Sequence, residues 1–343
     1  MIVLFASGSG GHIEPALLLK ERLQKMGASV ELILGNHYPK VSGGKVLNIP
    51  RRKIMALLYF PFLCMYVMRY FFIKKPRIII GFGGFQSLLV LLIFRSLGCK
   101  VAIYEHNLII GRANAFLLPF VHVIFLIWEE TASRWSPRYY KKVIFVRPLV
   151  SGPENLKEKL HQDRKFTIVI FGGSQGARFL NDLFIQFLQD FKHYGDIRMD
   201  LIAGIKFYPS VIKRLSAISV GVEYNIQDFC NDMGQYYTSG DFFITRAGAQ
   251  TILELISYCR PALLIPYPYA QAHQLGNAIH LLRKKCCLVV RQDKAKRETV
   301  IKVISAVIRN RDTLVRMSEN LKDLRQKLFN NPGMEEIIVS RFL

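Results

Sequence analysis

The chain has 343 residues, half of them apolar, and a formal net charge of +22. That length suits about two domains, each with enough apolar residues to build its own core. The 6 cysteines contain no Cys-x-x-Cys pair, which argues against a zinc or redox motif and for reduced thiols. The charge is uneven: residues 1–150 carry a net +14 and residues 151–343 a net +8. A basic first half calls for an anionic partner: nucleic acid, acidic lipid or a phosphorylated substrate. No recognition motif or basic–aromatic repeat accompanies the charge, so nucleic acid is set aside.

In chain order, Ile2–Phe5 reads as a first strand rather than a leader peptide, since no basic region precedes it and a glycine turn follows. A helix over Pro15–Met26 ends at Gly27, and Val30–Leu34 is the next strand. The 20 residues Ile54 to Ile73 are nearly all apolar and lie between Arg51-Arg52-Lys53 and Lys74-Lys75. That length would span a bilayer. Pro61, Arg69 and the position of the segment inside one α/β domain argue instead for a buried or interfacial helix whose aromatics and basic ends meet lipid headgroups. An ordinary core helix with solvated ends is the alternative.

Short strands follow at Ile78–Ile80, Val101–Tyr104, Val121–Phe125 and Lys142–Val146, with a helix over Gln86–Leu97. Ser151 to Arg164 is polar, carries Gly152-Pro153 and reads as a linker. The pattern then restarts. Strands fall at Phe166–Phe171, Met199–Ala203, Val222–Ile226, Phe242–Thr245 and Ala262–Ile265. Helices fall at Phe179–Phe191, Thr251–Tyr258, Gln274–Lys284 and about Glu298–Asn330. This alternation predicts two doubly wound, parallel-sheet α/β domains facing each other across a cleft. Their bounds would be 1–150 and 151–330, with the tail 331–343 packing back on the first.

Two glycine turns each close a strand and open a helix: Ala6-Ser7-Gly8-Ser9-Gly10-Gly11-His12 and Phe171-Gly172-Gly173-Ser174-Gln175-Gly176-Ala177-Arg178. Such turns bring backbone N–H groups and a helix dipole against an anion. The first lacks the third glycine of the dinucleotide fingerprint, Ile13 standing there, and the second misses that spacing too. No Lys-Ser/Thr of a P-loop is present, and no Asp-x-Asp, so a metal-clamped nucleotide site is not indicated. His12, at the start of a helix, is suited to being a neutral general base, or else it caps the turn. Glu254 sits in an otherwise apolar helix, where it needs a partner: a ribose diol, or a salt bridge to Arg246 or Arg260. His273, Gln274 and Asn277 open a helix after the Pro266-Tyr267-Pro268-Tyr269 turn and suit sugar hydroxyls.

Taken together, the residues resemble the MurG family. They are Gly8 to His12 with Pro15, Gly81-Phe82-Gly83-Gly84, Glu105 with Asn107, Gly111 and Asn114, and Gly172 to Arg178 with Asn181. Arg246-Ala247-Gly248-Ala249 with Thr251 and Glu254, Pro261-Ala262, and His273-Gln274 with Asn277-Ala278 complete the set. These are bacterial transferases that move N-acetylglucosamine from UDP-GlcNAc to lipid I, giving lipid II for peptidoglycan. The resemblance implies the two-domain GT-B fold of family 28 glycosyltransferases, inversion by direct displacement, and neither cofactor nor catalytic metal. It implies His12 as the base for the acceptor C4 hydroxyl. Donor binding would fall to Gly173, Ser174 and Gln175 (diphosphate), Cys230 (uracil, by backbone), Gly248, Ala249, Glu254 (ribose), and His273, Gln274 and Asn277 (GlcNAc). The acceptor side would be lined by Ser9, Gly10, Gly11, Gly83, Gly84, Glu105, Asn107 and Asn114. The implied partners are UDP-GlcNAc, lipid I, an anionic inner-membrane surface reached peripherally from the cytoplasmic face, and other cell-wall synthesis proteins.

The chain departs from the family pattern in places. Tyr104-Glu105-His106-Asn107 stands where His-Glu-Gln-Asn is usual, Phe85 replaces a tyrosine, and Ala247 a serine. Arg147 precedes Pro148, whereas the family's donor-binding arginine follows the proline; Arg147 is the candidate substitute. Three alternatives stay open: a transferase for another membrane lipid, a UDP-GlcNAc epimerase, and a non-catalytic membrane-bound scaffold. The epimerase would need an acidic pair near the sugar, and none lies beside the glycine turns.

Overall fold

The computed structural model describes residues 1–8, 10–36, 45–50, 52–133, 135–153, 165–173, 175–191, 196–269, 273–294 and 296–343. It divides into two compact units, one of residues 1–150 with 327–343, the other of 151–326.

The first unit runs β1 (Ile2–Ala6), α1 (Gly10–Lys25), β2 (Val30–Leu34), β3 (Lys45–Val46), α2 (Lys53–Leu58), α3 (Phe60–Lys74), β4 (Ile78–Gly81) and α4 (Phe85–Ser96). It continues with β5 (Lys100–Glu105), α5 (Arg112–Leu117), β6 (Val123–Leu126), α6 (Glu129–Ala132), α7 (Pro137–Tyr140) and β7 (Val143–Phe145). Its sheet has the order β3-β2-β1-β4-β5-β6-β7, with every pairing parallel.

The second unit holds β8 (Phe166–Phe171), α8 (Arg178–Asp190), β9 (Ile197–Ile202), α9 (Tyr208–Leu215), β10 (Glu223–Gln227), α10 (Gly234–Ser239) and β11 (Phe242–Thr245). After these come α11 (Ala249–Ser257), β12 (Ala262–Leu264), α12 (His273–Arg283), β13 (Leu288–Val289), α13 (Arg297–Arg309) and α14 (Asp312–Phe329). Its sheet order is β10-β9-β8-β11-β12-β13, again all parallel. The division between units falls near the end of α14, and α15 (Met334–Phe342) belongs with the first.

The strands explain the sheets. All five residues of β1 and all six of β8 are buried. Runs that are apolar on both faces suit a parallel sheet covered by helices on each side. In both sheets the order reverses direction at one place, β1/β4 in the first and β8/β11 in the second. Strands diverging there leave a crevice at their carboxyl ends, the usual ligand position in open α/β sheets. Both glycine turns leave from these points.

Three expected elements differ. The helix predicted from Pro15 starts at Gly10 and holds Pro15 inside it. A proline there removes only the bond to the Gly11 carbonyl, so the preceding turn can still form. The apolar run 54–73 is two helices, α2 and α3, with Pro61 in the first turn of α3, a position that proline favours. Among the described residues, no helix is long and apolar enough to cross a membrane. The long helix expected over Glu298–Asn330 breaks into α13 and α14 at Asn310, which leaves the helical region at φ −124°.

α3 buries Leu63, Val67 and Tyr70, spaced as one helical stripe. Tyr70 meets Phe94 of α4 edge-on at 6.2 Å and donates its hydroxyl to Glu31 at 2.7 Å. The opposite face of α3 is also apolar yet exposed: Phe62, Met65, Met68, Phe72 and Ile73, continued on α2 by Ile54, Met55 and Leu58. Exposed Arg52, Arg69, Lys74, Lys75 and Arg77 surround it.

The tail is fixed to the first unit by charge. Glu335, only 6% exposed at its side chain, accepts from Arg147 at 2.6 Å and pairs with Arg22 at 3.6 Å. The Arg147 backbone N–H donates to Pro332 O at 3.1 Å.

Candidate active site

In the first unit the polypeptide leaves β1 through buried Ser7 and Gly8, whose φ of +97° belongs to glycine. Ser9 lies outside the described residues. Gly10 and Gly11 open α1, which places His12 in its first turn. The neighbouring strand β4 is followed by Gly83 and Gly84, at φ +100° and +89°. The two turns interlock. A Cβ on Gly83 would lie 2.9 Å from His12 Cε1, and one on Gly84 would lie 2.8 Å from Ser7 Oγ. Glycine is therefore required at both positions, by conformation and by space.

β5 delivers the next group. Glu105 is 3% exposed and accepts from the Asn107 N–H and Nδ2 (both 3.0 Å), the Gly111 N–H (2.9 Å) and Asn114 Nδ2 (3.0 Å). Burial raises the affinity of this carboxyl for a proton, but the His106 imidazole and the Gly111 and Asn107 donors outweigh it. Glu105 is held below the usual carboxylate range. Its role is to gather the loop that carries Asn107 and Asn114. His106, beside it, is pushed down to about 4 by burial, opposed by Glu105 and reinforced by His12. The sequence marked His106 only as a departure, yet its ring stands 5.9 Å from that of His12.

In the second unit, Gly173 (φ +81°) and Gly176 (φ +69°) turn the chain from β8 into α8. Ser174 lies outside the described residues; Gln175 lies in the turn. Ala177 at the N-cap of α8 and Gly248 at the N-cap of α11 have extended backbones and, among the described residues, no side-chain cap. The two helix N-termini start from adjacent strands, since Phe171 pairs with Thr245. Ala249 opens α11, and Glu254 lies farther along it, accepting from the Tyr237 hydroxyl at 2.8 Å and Gln250 Nε2 at 3.4 Å. Tyr237 is buried and stacks on Tyr258 at 5.0 Å; nothing in the local sequence signals it.

Arg246 does not pair with Glu254. It donates to Ile265 O at 2.9 Å and lies over the rings of Phe179 and Tyr267, at 5.7 and 5.4 Å. Burial pushes it down to about 10, with Tyr267 opposing. Asn277 reaches back to Ala247 O at 3.2 Å, and Gln274 Oε1 accepts from the Tyr267 N–H at 2.9 Å. These bonds bring the start of α12, with His273 at its first residue, to the turn that follows β11. Cys230 follows β10; its Sγ donates to Asp232 O at 3.0 Å and accepts from Gln235 Nε2 at 3.3 Å. Gly173, Gln175, Gly248, Ala249, His273, Gln274 and Asn277 thus gather at one end of the second sheet. Arg147 belongs to the first unit, where its guanidinium pairs with Glu335 at 2.6 Å and with Glu336 at 2.9 Å.

Two parallel α/β sheets, each with a glycine turn opening a helix at its switch point, define a GT-B glycosyltransferase architecture. The crystal structure of Acinetobacter baumannii MurG shares this fold, with a TM-score of 0.75, 24% identity, and 99% of this chain and 98% of that one covered. Residues 167–331 match the glycosyltransferase family 28 C-terminal domain. A Rickettsia canadensis (strain McKiel) relative is 30% identical, covering 98% of this chain and 99% of its own. One from Bacillus subtilis (strain 168) is also 30% identical, covering 94% of each. Both are named UDP-N-acetylglucosamine–N-acetylmuramyl-(pentapeptide) pyrophosphoryl-undecaprenol N-acetylglucosamine transferase. The chain belongs to that transferase family, the MurG family.

Proposed function

We propose that this chain moves GlcNAc from UDP-GlcNAc to the C4 hydroxyl of the N-acetylmuramyl sugar of an undecaprenyl-diphosphate-linked acceptor, with inversion. The observation that carries the reading is His12: a histidine in the first turn of α1, at the switch point of the first sheet, its ring against Gly83. The relatives' names, matched over nearly the whole chain, support the donor and the acceptor.

A helix N-terminus disfavours a cationic imidazole, so His12 is suited to wait as a neutral base. It takes the proton of the acceptor hydroxyl as that oxygen bonds to the anomeric carbon. The bond from that carbon to the UDP oxygen breaks, and the diphosphate takes the electron pair. The developing charge falls to the uncapped N-termini of α8 and α11 and to the turn at Gly173. Glu254, oriented by Tyr237, holds the ribose; Gln274, His273 and Asn277 hold the sugar. On the acceptor side, Glu105 sets the loop of Asn107 and Asn114. Arg147 is given no donor contact in this reading; its Nη2 pairs with Glu335 and Glu336 of the tail.

The exposed apolar face of α2 and α3, ringed by basic residues, is the surface for the anionic membrane that holds the acceptor. The protein would bind peripherally at the cytoplasmic face, where other cell-wall synthesis proteins work.

The test is His12→Ala. The turnover number should fall by about 10²–10⁴, with UDP binding by calorimetry unchanged. Retention of wild-type turnover would remove His12 as the base.

A further inference from the structure

His106 is a buried imidazole for which the proposed chemistry has no use. It is 2% exposed, and among the described residues its Nδ1 has no hydrogen-bond partner. Its main-chain carbonyl accepts the Trp128 indole N–H at 3.0 Å. Its ring lies parallel on Tyr104 (centroids 5.5 Å apart, planes at 13°) and stands across His12 (5.9 Å, 83°). Tyr104 is itself anchored, resting against Phe82 at 5.5 Å and accepting the Leu149 N–H at 3.3 Å. A rigid aromatic column therefore ends at His12. On another side, Gly83 leaves no space beyond its own hydrogen, since a Cβ there would lie 2.9 Å from the His12 ring. Gly8 approaches as well, with its Cβ position 3.6 Å from His12 Cδ2.

A buried ring nitrogen left without a partner is unfavourable. Nδ1 adds no hydrogen bond to the fold here, whereas the ring makes aromatic contacts on two sides. We infer that His106 is the positioning residue for His12: its perpendicular ring, backed by Tyr104, holds the His12 imidazole against Gly83 and shields it from water.

This rests on reading His12 as the base. The charged groups acting on His106 are Glu105, adjacent in the chain, and His12 on α1. With His106 pushed down to about 4, the column stays uncharged in the working range. A neutral ring beside His12 sets no like charge against the proton that the proposed base takes up.

The experiment measures kcat, KM for UDP-GlcNAc and the pH profile of kcat/KM with a lipid I analogue in detergent. Wild type, His12→Ala, His106→Gln and His106→Phe are compared. His106→Gln removes the ring. Its kcat should fall about tenfold, the size of effect that misplacing a reacting group produces, with KM for UDP-GlcNAc within twofold. Its acid limb should move up by about half a unit as water reaches His12. His106→Phe restores a ring and should bring kcat back to within about threefold of wild type.

A His106→Gln enzyme with wild-type kcat and acid limb overturns the proposal. So does a His106→Phe enzyme that binds UDP-GlcNAc normally yet is as slow as His106→Gln, and this arm holds even if the glutamine variant does not fold. Loss of kcat with an unmoved acid limb reduces His106 to a packing residue. If His12→Ala itself keeps the wild-type rate, the reading of His12 fails instead.

Discussion

The ring of His12 occupies the space where Gly83 would carry a side chain, 2.9 Å from its Cβ position. The contact joins a helix start to the turn after the neighbouring strand, 71 positions later by residue number. It predicts the effect of a single methyl group. Gly83→Ala puts a Cβ into the imidazole and forces alanine to φ +100°, a strain of roughly 1–2 kcal/mol. Turnover should drop at least about tenfold, while UDP-GlcNAc affinity, which the proposed function assigns to the second unit, should not change. Wild-type turnover in Gly83→Ala would show that His12 need not stay where it is.

Glu105 makes acid stability measurable. Its folded-state proton affinity is lowered. The stability it contributes is therefore fully present above its unfolded value of about 4.3 and disappears as pH falls through the lower folded value. Glu105→Gln should cost about 2–4 kcal/mol at pH 7, because a buried acceptor of four N–H bonds is replaced by an amide that must turn donors toward donors. Denaturant unfolding of both proteins at pH 7 and about pH 3 checks it. The gap should narrow at the acidic end; a gap independent of pH would mean that the charge of Glu105 is irrelevant.

Tyr237→Phe removes the hydroxyl bonded to Glu254 at 2.8 Å and leaves the stacked ring in place. Glu254 then loses one of the hydrogen bonds that orient it. KM for UDP-GlcNAc and Kd for UDP should rise about fivefold to tenfold, as for loss of one charge-assisted hydrogen bond. Kd of a sugar phosphate lacking the nucleoside should not move. Equal weakening of both ligands would place the effect outside the ribose site.

Phe62, Met65 and Phe72 of α3 are 61%, 63% and 65% exposed. Placing aspartate at Phe62 and Met65 should change folding stability by no more than about 0.5 kcal/mol each. Sedimentation with vesicles rich in anionic lipid should fall by tenfold or more, and the binding of the unaltered protein should weaken with salt. Undiminished vesicle binding would move the membrane surface elsewhere.

Local signals in the sequence were sufficient for the strand–glycine–helix units, because an apolar run followed by Gly8 or Gly172-Gly173 has few conformations open to it. Pro61 marked where the apolar segment breaks, being excluded from a helix interior but welcome in a first turn, yet the segment was read as one helix. The break at Asn310 had no such marker. The two-residue strands Lys45–Val46 and Leu288–Val289 are too short to show a period. What the sequence could not convey was contact at a distance. Arg147 stood out from its place beside Pro148, but its pairing with Glu335, 188 residues away, has no local sign. His106 looked like a simple exchange in a loop, and only the pairing of β1, β4 and β5 sets it across from His12. Tyr237 had no local feature at all; its value lies in what α11 brings to it.

The central claim is transfer of GlcNAc to a lipid-linked acceptor, and the most direct measurement is release of UDP from UDP-GlcNAc with and without a lipid I analogue in detergent. The account predicts release that depends on the analogue, with the disaccharide-bearing lipid as the second product. UDP-GlcNAc binding without analogue-dependent release would contradict it.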